Sequence, residues 1–205
     1  MNWYDEGYQR CDCFWGTTPG SYVSLLAKLF PDFRNLRVLD VGCGEGKNAA
    51  FLAVNGASVD ALDISSLAIR NGRRQWPHVD SIKWILGDVG FVPLPTAYYD
   101  IVVAYGLLHC LKDEDQIRMT VGRLQNATAF GGYNVVCTFN DRHQELAEAH
   151  PGFTPCLLSH RALTAAYASW EILAEADSDL TEQHPHNNIV HTHSMTRILA
   201  RKARH

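Results

Sequence analysis

Three glycines occupy alternate positions in one short stretch of the chain, at Gly42, Gly44 and Gly46. The apolar run before them, residues 36–41, has the composition of a buried β-strand, and residues 47–54 have that of a helix. Glycine lets a chain turn tightly and leaves the backbone bare, so backbone N–H groups at such a turn can approach a ligand closely. The glycine pattern therefore predicts a ligand-binding loop.

Two aspartates follow the next two apolar strands. Asp63 ends a strand over residues 58–62, and Asp88 follows a strand over residues 82–86. An acidic residue about 20 positions beyond a glycine loop is placed to accept hydrogen bonds from two ribose hydroxyls. Asp88 lies at the same edge, well placed for an amino group on a base. The spacing G-x-G-x-G differs from the G-x-G-x-x-G of dinucleotide-binding loops, so a nicotinamide cofactor is the weaker alternative.

A second unusual stretch, HPHNNIVHTH, holds four of the ten histidines of the chain. On a strand, His191 and His193 point to the same face because side chains alternate. Three interpretations stay open: a general base with substrate hydrogen-bonding partners, a metal site, or a polar turn. We favour the first, with His191 and His193 as catalytic residues and His184 and His186 as substrate contacts. No metal is predicted, since no carboxylate or cysteine evidently completes a ligand set.

Alternating strand and helix patterns position these residues. The predicted helices cover residues 21–30, 47–54, 67–75, 114–129 and 160–169. The predicted strands cover residues 37–41, 58–62, 82–86, 101–104, 134–138, 171–176 and 189–200. Gly131 and Gly132 are expected to end the helix over residues 114–129. This alternation predicts an α/β fold with a Rossmann-like, doubly wound sheet covered on both faces, whose ligand lies outside the carboxyl ends of the strands.

The composition limits the classes of function. A chain of 205 residues fits one domain with a sizeable core. Its formal net charge of -4 gives no basic excess for nucleic-acid binding. The N-terminus is polar and no run reaches about 20 apolar residues, so we expect a cytoplasmic chain without a membrane span. The six cysteines fit small core residues in a reducing compartment, and the sequence does not fix the oligomeric state.

The stretch VLDVGCGEGKNAAFLAVNGASVDALDIS, followed by GDV and by YDIVVAYGLLHCL, resembles the class I S-adenosylmethionine-dependent methyltransferases. The resemblance covers residues 36–140 and extends to the rest by topology. Within that family, FWGTTPGSYVSLLAKL makes the chain similar to tellurite-resistance-like and small-molecule methyltransferases. The resemblance implies a mostly parallel sheet with an antiparallel last strand, S-adenosyl-L-methionine as cofactor and a small-molecule methyl acceptor.

The resemblance also implies roles for residues near the methionyl part of the cofactor. Gly42 and Gly44 are expected to contact that part, with Asp40 supporting the loop. Ala104 and Tyr105, at the end of the fourth strand, are expected to border the sulfonium. These residues would therefore surround the end of the cofactor that reacts.

A further group of residues is implied for the adenosine part. Asp63 is expected to accept hydrogen bonds from the ribose hydroxyls, and Ile64 to cover one face of the adenine. Asp88 is expected to accept from the adenine amino group, with Val89 donating a backbone N–H. Gly46 is expected to serve helix–strand packing rather than a direct contact.

Aromatic residues crowd the N-terminal segment, residues 1–35. As a lid over the carboxyl edge, this segment could enclose a small substrate or the sulfonium; the alternative is packing on the flank of the sheet. We predict Trp15 beside the cofactor and Tyr22 beside the substrate. For His109, close to the transferred methyl in this topology, a general base and a satisfied, half-buried histidine both stay open.

We expect one domain over residues 1–205 in three parts. Residues 1–35 form the lid and a helix, residues 36–140 the cofactor-binding half, and residues 141–205 a substrate-side loop, a helix and the final hairpin. The expected function is methyl transfer to an oxygen, nitrogen, sulfur or carbon atom of a small molecule. Two alternatives stay open: a non-catalytic regulator that binds S-adenosylmethionine, and a nicotinamide-dependent oxidoreductase.

Overall fold

The computed structural model describes residues 3–11, 13–184 and 188–203, and these residues form a seven-stranded sheet. Its strands are β1 (Arg37–Val41), β2 (Ser58–Asp63), β3 (Ile82–Leu86), β4 (Tyr99–Tyr105), β5 (Thr128–Gln144), β6 (Glu171–Gln183) and β7 (Val190–Arg201). The strand order is β3-β2-β1-β4-β5-β7-β6. Strands β1 to β5 pair in parallel, and β7 runs antiparallel to both β5 and β6. The predicted fold class and antiparallel last strand are confirmed.

Six α-helices connect or cover these strands in the described part of the chain. They are α1 (Trp3–Arg10), α2 (Ser21–Leu29), α3 (Lys47–Val54), α4 (Ser66–Gln75), α5 (Glu114–Ala127) and α6 (His160–Ala165). Three of them begin where a side-chain oxygen accepts a backbone N–H of the first turn, at Ser65, Asp113 and Ser159. None of the helices that the structure describes is long and apolar enough to cross a bilayer.

Apolar side chains cover both faces of the central strands. On one face, Val38 of β1 and Val103 of β4 belong to the same buried cluster as Leu26 of α2. On the other face, Leu39 of β1 belongs to a cluster with Leu124 of α5. Burial on both faces explains why these strands are nearly continuous apolar runs in the sequence.

The boundary between α5 and β5 differs from the prediction. Helix α5 ends at Ala127, and Gly131 and Gly132 lie inside β5 instead of ending a helix. Gly131 has a φ of 77°, and a Cβ on Gly132 would lie 2.9 Å from the carbonyl oxygen of Asp100 on β4. The glycines therefore allow an irregular, close approach of β5 to β4, where the pairing register shifts. Their assignment to a helix end was wrong.

The last elements also have different lengths from those expected. Helix α6 ends at Ala165, and β6 continues to Gln183, well beyond residue 176. Strand β6 is the edge of the sheet, and its residues alternate between half-buried and exposed positions. Because polar residues fill the exposed positions, the hydrophobic pattern stops before the strand does. Helix α1 was not predicted.

Candidate functional site

A cavity of about 520 Å³ lies at the carboxyl edge of the sheet. Its walls come from the segments that follow four neighbouring strands and include Gly42, Cys43, Gly44, Asp63, Ile64, Gly87, Asp88, Val89, Tyr105, Gly106 and Leu107. In doubly wound sheets this edge is where ligands bind. The volume is that of a site for a cofactor or another small molecule.

The glycine loop is held in place by the carboxylate that ends β2. The backbone N–H of Gly44 donates to one oxygen of Asp63 at 2.8 Å, and the N–H of Ser65 donates to the other at 2.8 Å. Burial raises the pKa of Asp63, and these two backbone donors oppose that rise. Gly44 has a φ of +54°, and a Cβ there would lie 3.0 Å from the hydroxyl of Tyr8. The loop therefore needs a glycine at this position.

Gly46 has a packing role, as the sequence suggested. It is the residue before α3, its φ is +80°, and it does not contribute to the cavity wall. A Cβ on Gly46 would overlap the ring of Trp84. The third glycine thus lets the first turn of α3 pack against β3.

The residues predicted for the adenosine part all line the cavity. Ile64 is 53% exposed and Val89 is buried, and both contribute to the wall. One oxygen of Asp88 accepts the backbone N–H of Gly90 at 2.7 Å, so this carboxylate also stabilises a turn. Their contacts with adenine and ribose stay predictions.

The N-terminal segment covers part of the cavity. Tyr4, Tyr8 and Trp15 line it. The indole nitrogen of Trp15 donates to the hydroxyl of Tyr8 at 3.0 Å, and its backbone N–H donates to a carboxylate oxygen of Glu45 at 3.3 Å. Lys47 Nζ donates to the carbonyl of Trp15 at 3.2 Å. Side chains at the glycine loop and at the start of α3 therefore hold the segment in its covering position.

Tyr22 and Ala104, both predicted site residues, lie outside the cavity wall. Tyr22 is part of α2, and its ring packs against the apolar cluster between that helix and the sheet, away from the cavity. Ala104 is 1% exposed and packs in the core, whereas the next residue, Tyr105, lines the cavity. Burial raises the pKa of Tyr105 to about 12. The substrate contact expected of Tyr22 does not agree with this placement.

His109 lines the cavity as a buried, hydrogen-bonded ring. The backbone N–H of Phe139 donates to its Nδ1 at 3.1 Å, which places the ring hydrogen of the neutral form on Nε2. Burial, reinforced by His193, lowers the pKa of His109 to about 3. This geometry favours a buried, hydrogen-bonded structural role for His109 over a role as general base. The ring is a weak base, and its lone pair on Nδ1 already accepts a hydrogen bond.

The described histidines of the β6–β7 hairpin are His184, His191 and His193. They lie close together, but His191 and His193 lie behind the cavity wall. His184 lines the cavity and stacks on Phe14 with ring centroids 5.5 Å apart. His191 and His193 are 2% and 0% exposed and do not line it. His150, which lines the cavity, lies within hydrogen-bond distance of both rings. A direct role as base therefore disagrees with their burial. His186 lies outside the described residues.

Several residues at the cavity were missed by the sequence analysis. They are Tyr4, Glu45, Lys47, Asn48, Phe139, His150, Phe153 and Glu182. Lys47 could have been found, since it directly follows the glycine loop. Glu182 lies beyond the predicted end of β6. Glu182, His191 and His193 offer ligand atoms within 4.8 Å of one another. The expectation that no carboxylate stands near these histidines was therefore wrong.

Asp40 gives a prediction for pH dependence. Its side chain is 1% exposed and burial raises its pKa to about 7, opposed in part by the backbone N–H of Ala49. An unfolded aspartate titrates near about 3.9, so between these pH values the folded state binds more protons and the unfolding free energy falls as pH rises. We expect Asp40→Asn, which cannot ionise, to gain stability relative to wild type as pH rises from about 5 to about 8. Tm measured across this range tests it, and parallel curves for the two proteins would contradict it.

Comparisons of the sequence identify related proteins. Residues 38–132 match a family model described as a methyltransferase domain. An uncharacterized methyltransferase from Mycobacterium tuberculosis is 36% identical over 102 residues, which are 50% of this chain and 50% of that protein. The malonyl-[acyl-carrier protein] O-methyltransferase of Enterobacter lignolyticus is 37% identical over 79 residues, 38% of this chain and 30% of that protein. The chain thus spans only half or less of the length of these relatives.

Solved structures match nearly the whole chain. TehB from Haemophilus influenzae aligns with a TM-score of 0.74 and 20% identity, over 89% of this chain and 62% of that one. A second structure aligns with a TM-score of 0.75 and 24% identity, over 98% of this chain and 91% of that one. It is described as concerning the conversion of a disulfide bond into a thioacetal group during echinomycin biosynthesis. At these identities the likeness shows the fold.

Proposed function

We propose that this chain is a class I S-adenosylmethionine-dependent methyltransferase and that it transfers the methyl group of S-adenosylmethionine to a small-molecule acceptor. The observation that carries the proposal is the hydrogen bond of 2.8 Å between the Gly44 N–H and Asp63, at the wall of the cavity. This bond joins a bare backbone turn to a carboxylate that borders the same space. A cofactor with a charged amino-acid part and a ribose needs both kinds of group.

The shape of the glycine loop fits the proposed cofactor. A Cβ on Gly44 would meet the Tyr8 hydroxyl and the Trp15 ring, so the cavity depends on the bare backbone there. We propose that Gly42 and Gly44 contact the methionyl part and that Asp63 accepts from the ribose hydroxyls. Ile64, Asp88 and Val89 would contact the adenine, as the family resemblance implies.

The chain itself must align the acceptor and exclude water. S-adenosylmethionine, when bound, supplies a methyl group on a positively charged sulfur that is already a good leaving group. Little covalent chemistry is left to the protein, so positioning in a closed site is the main contribution of its residues. Tyr4, Tyr8 and Trp15 cover the cavity and would limit the access of water. His109 would donate a hydrogen bond from Nε2.

Size and composition support a small acceptor. The cavity of about 520 Å³ must hold both cofactor and acceptor, and Phe139 and Phe153 give its wall apolar surface. The net charge of -4 disfavours nucleic acid as the acceptor. All six cysteines are free, which supports a reducing, cytoplasmic location.

Binding of the demethylated cofactor tests the proposal directly. We expect calorimetric titration with S-adenosylhomocysteine to show micromolar binding. NAD is the control and should show no binding, because the glycine spacing differs from that of dinucleotide loops. If S-adenosylhomocysteine does not bind, the glycine loop serves another ligand and the proposed function is wrong. Binding would justify a turnover screen with thiols, amines, phenols and oxyanions.

A further inference from the structure

Four histidines and one glutamate meet on the β6–β7 side of the cavity. This histidine cluster consists of His150, Glu182, His184, His191 and His193. His150 comes from the segment after β5, Glu182 from β6, and the others from the hairpin. His150, Glu182 and His184 line the cavity, with the two buried histidines behind them. Two sets of three within the cluster have ligand atoms within 4.8 Å of one another: His150, His184 and His191, and Glu182, His191 and His193.

The hydrogen bonds of the two buried rings fix where their hydrogens lie. His191 Nδ1 is 2.8 Å from the carbonyl oxygen of Ile189, and His193 Nδ1 is 2.9 Å from Gln144 Oε1. Gln144 is oriented unambiguously, because its amide nitrogen donates to two backbone carbonyls at 2.7 and 2.9 Å. Both rings therefore donate from Nδ1, and each neutral ring has its lone pair on Nε2.

Both of these lone pairs face the same atom. His150 Nε2 is 3.1 Å from His191 Nε2 and 3.2 Å from His193 Nε2. One ring hydrogen on His150 cannot satisfy two lone pairs with good geometry. A cation between the three nitrogens satisfies all of them.

Two of the nitrogen–nitrogen separations are close to those of ligands around one metal ion. Zinc–nitrogen bonds of about 2.0–2.1 Å in a tetrahedron place neighbouring nitrogens about 3.3–3.4 Å apart. The separations of 3.1 and 3.2 Å from His150 Nε2 are within a few tenths of an ångström of this value. The Nδ1 bonds to a carbonyl and an amide oxygen are also those that orient metal-binding histidines in proteins.

A carboxylate lies near two of the three histidines, His191 and His193. Glu182 Oε1 is 3.9 Å from His193 Nε2 and 3.8 Å from His184 Nε2. Its negative charge would offset one of the two charges of a divalent ion. Three imidazoles and a carboxylate suit first-row transition metals, and zinc accepts this set in a tetrahedron.

We propose that the histidine cluster binds one divalent transition-metal ion, with zinc as the ion that fits best. His150, His191 and His193 supply nitrogen ligands through Nε2, and Glu182 supplies the fourth ligand. The ion would lie at the wall of the cavity and join the segment after β5 to the hairpin. This site goes beyond the proposed methyl transfer and does not depend on it.

Metal titration of untagged protein tests the proposal. We expect chelator-treated, dialysed protein to bind Zn²⁺ stoichiometrically in calorimetry. Addition of Co²⁺ should give the intense visible absorption of a tetrahedral site, and Zn²⁺ should displace it. S-adenosylhomocysteine binding, measured on the same samples, separates the two proposals. Metal binding without cofactor binding refutes only the proposed function, and the reverse result refutes only the metal site.

Three variants locate the bound ion. His150→Ala should abolish stoichiometric binding. Gln144→Ala removes the Nδ1 partner of His193, together with two hydrogen bonds to backbone carbonyls, and should weaken binding by about 10- to 100-fold. His143→Ala is the matched control, because this histidine of β5 is exposed and its neighbour is Glu145; its binding should equal that of wild type. If wild type binds no ion, or if His150→Ala binds as well as wild type, the cluster is a proton-sharing histidine network and the proposal is wrong.

Discussion

Asp63→Ala is expected to weaken S-adenosylhomocysteine binding by about 1–3 kcal/mol, or roughly 5- to 150-fold. The carboxylate accepts the backbone N–H groups of Gly44 and Ser65, each at 2.8 Å. Alanine leaves both donors without this acceptor and loosens the loop. It also removes the charged acceptor that we propose for the ribose hydroxyls. Calorimetric titration of the folded variant measures the combined loss.

Two further variants separate the loss of binding from a general loss of stability. Asp60→Ala removes a carboxylate from the same strand that accepts the Tyr99 hydroxyl at 2.7 Å and does not line the cavity. It should lower the unfolding free energy and leave affinity unchanged. Asp63→Asn keeps the shape of the side chain but turns one acceptor into a donor that faces a backbone N–H. Its affinity for S-adenosylhomocysteine should therefore lie between that of wild type and that of Asp63→Ala. Wild-type affinity in Asp63→Ala would refute the ribose assignment.

The glycine loop and the carboxylate of Asp63 could be predicted to meet at one edge of the sheet because their signals are local. Gly44 and Gly46 stand a few residues from the strand and helix that they join, and Asp63 directly ends its strand. Strand order then brings these segments to one edge, since parallel strands share the direction of their carboxyl ends. Sequence pattern alone was sufficient for each of these steps.

The histidine cluster could not be predicted because its partners are distant in sequence. His150 is 41 residues from His191 and 43 from His193. Nothing in the polar stretch around His150 indicates that it folds over β7. Glu182 was missed because the edge strand β6 continues through a polar sequence. Long-range pairing of polar groups leaves no periodic signal in the chain.

The aromatic content of the N-terminal segment did not show which of its residues line the cavity and which pack in the core. Trp15 and Tyr22 are only seven residues apart and were both expected at the site. Trp15 lies before α2 and lines the cavity, whereas Tyr22 is held on a helix whose apolar side faces the sheet. The orientation of α2, which the sequence does not specify, decides between the two positions.

Gly46→Ala is expected to lower the unfolding free energy by about 2–5 kcal/mol. The residue has a φ of +80°, a conformation that costs an alanine about 1–2 kcal/mol. The added Cβ would overlap the Trp84 ring, and relieving such overpacking typically costs about 1–3 kcal/mol more. Equilibrium denaturation measures the sum.

The same substitution at Gly122 is the matched control. Gly122 lies inside α5, and a Cβ there would have no atom within 4 Å outside its own helix turn. Alanine is the better helix former, so Gly122→Ala should be neutral or up to about 1 kcal/mol more stable. The opposite signs expected for the two variants isolate the close packing of Gly46 on Trp84 from the general effect of a glycine-to-alanine change. If Gly46→Ala is as stable as Gly122→Ala, then α3 can shift away from β3 at little cost, and the third glycine is not required for packing.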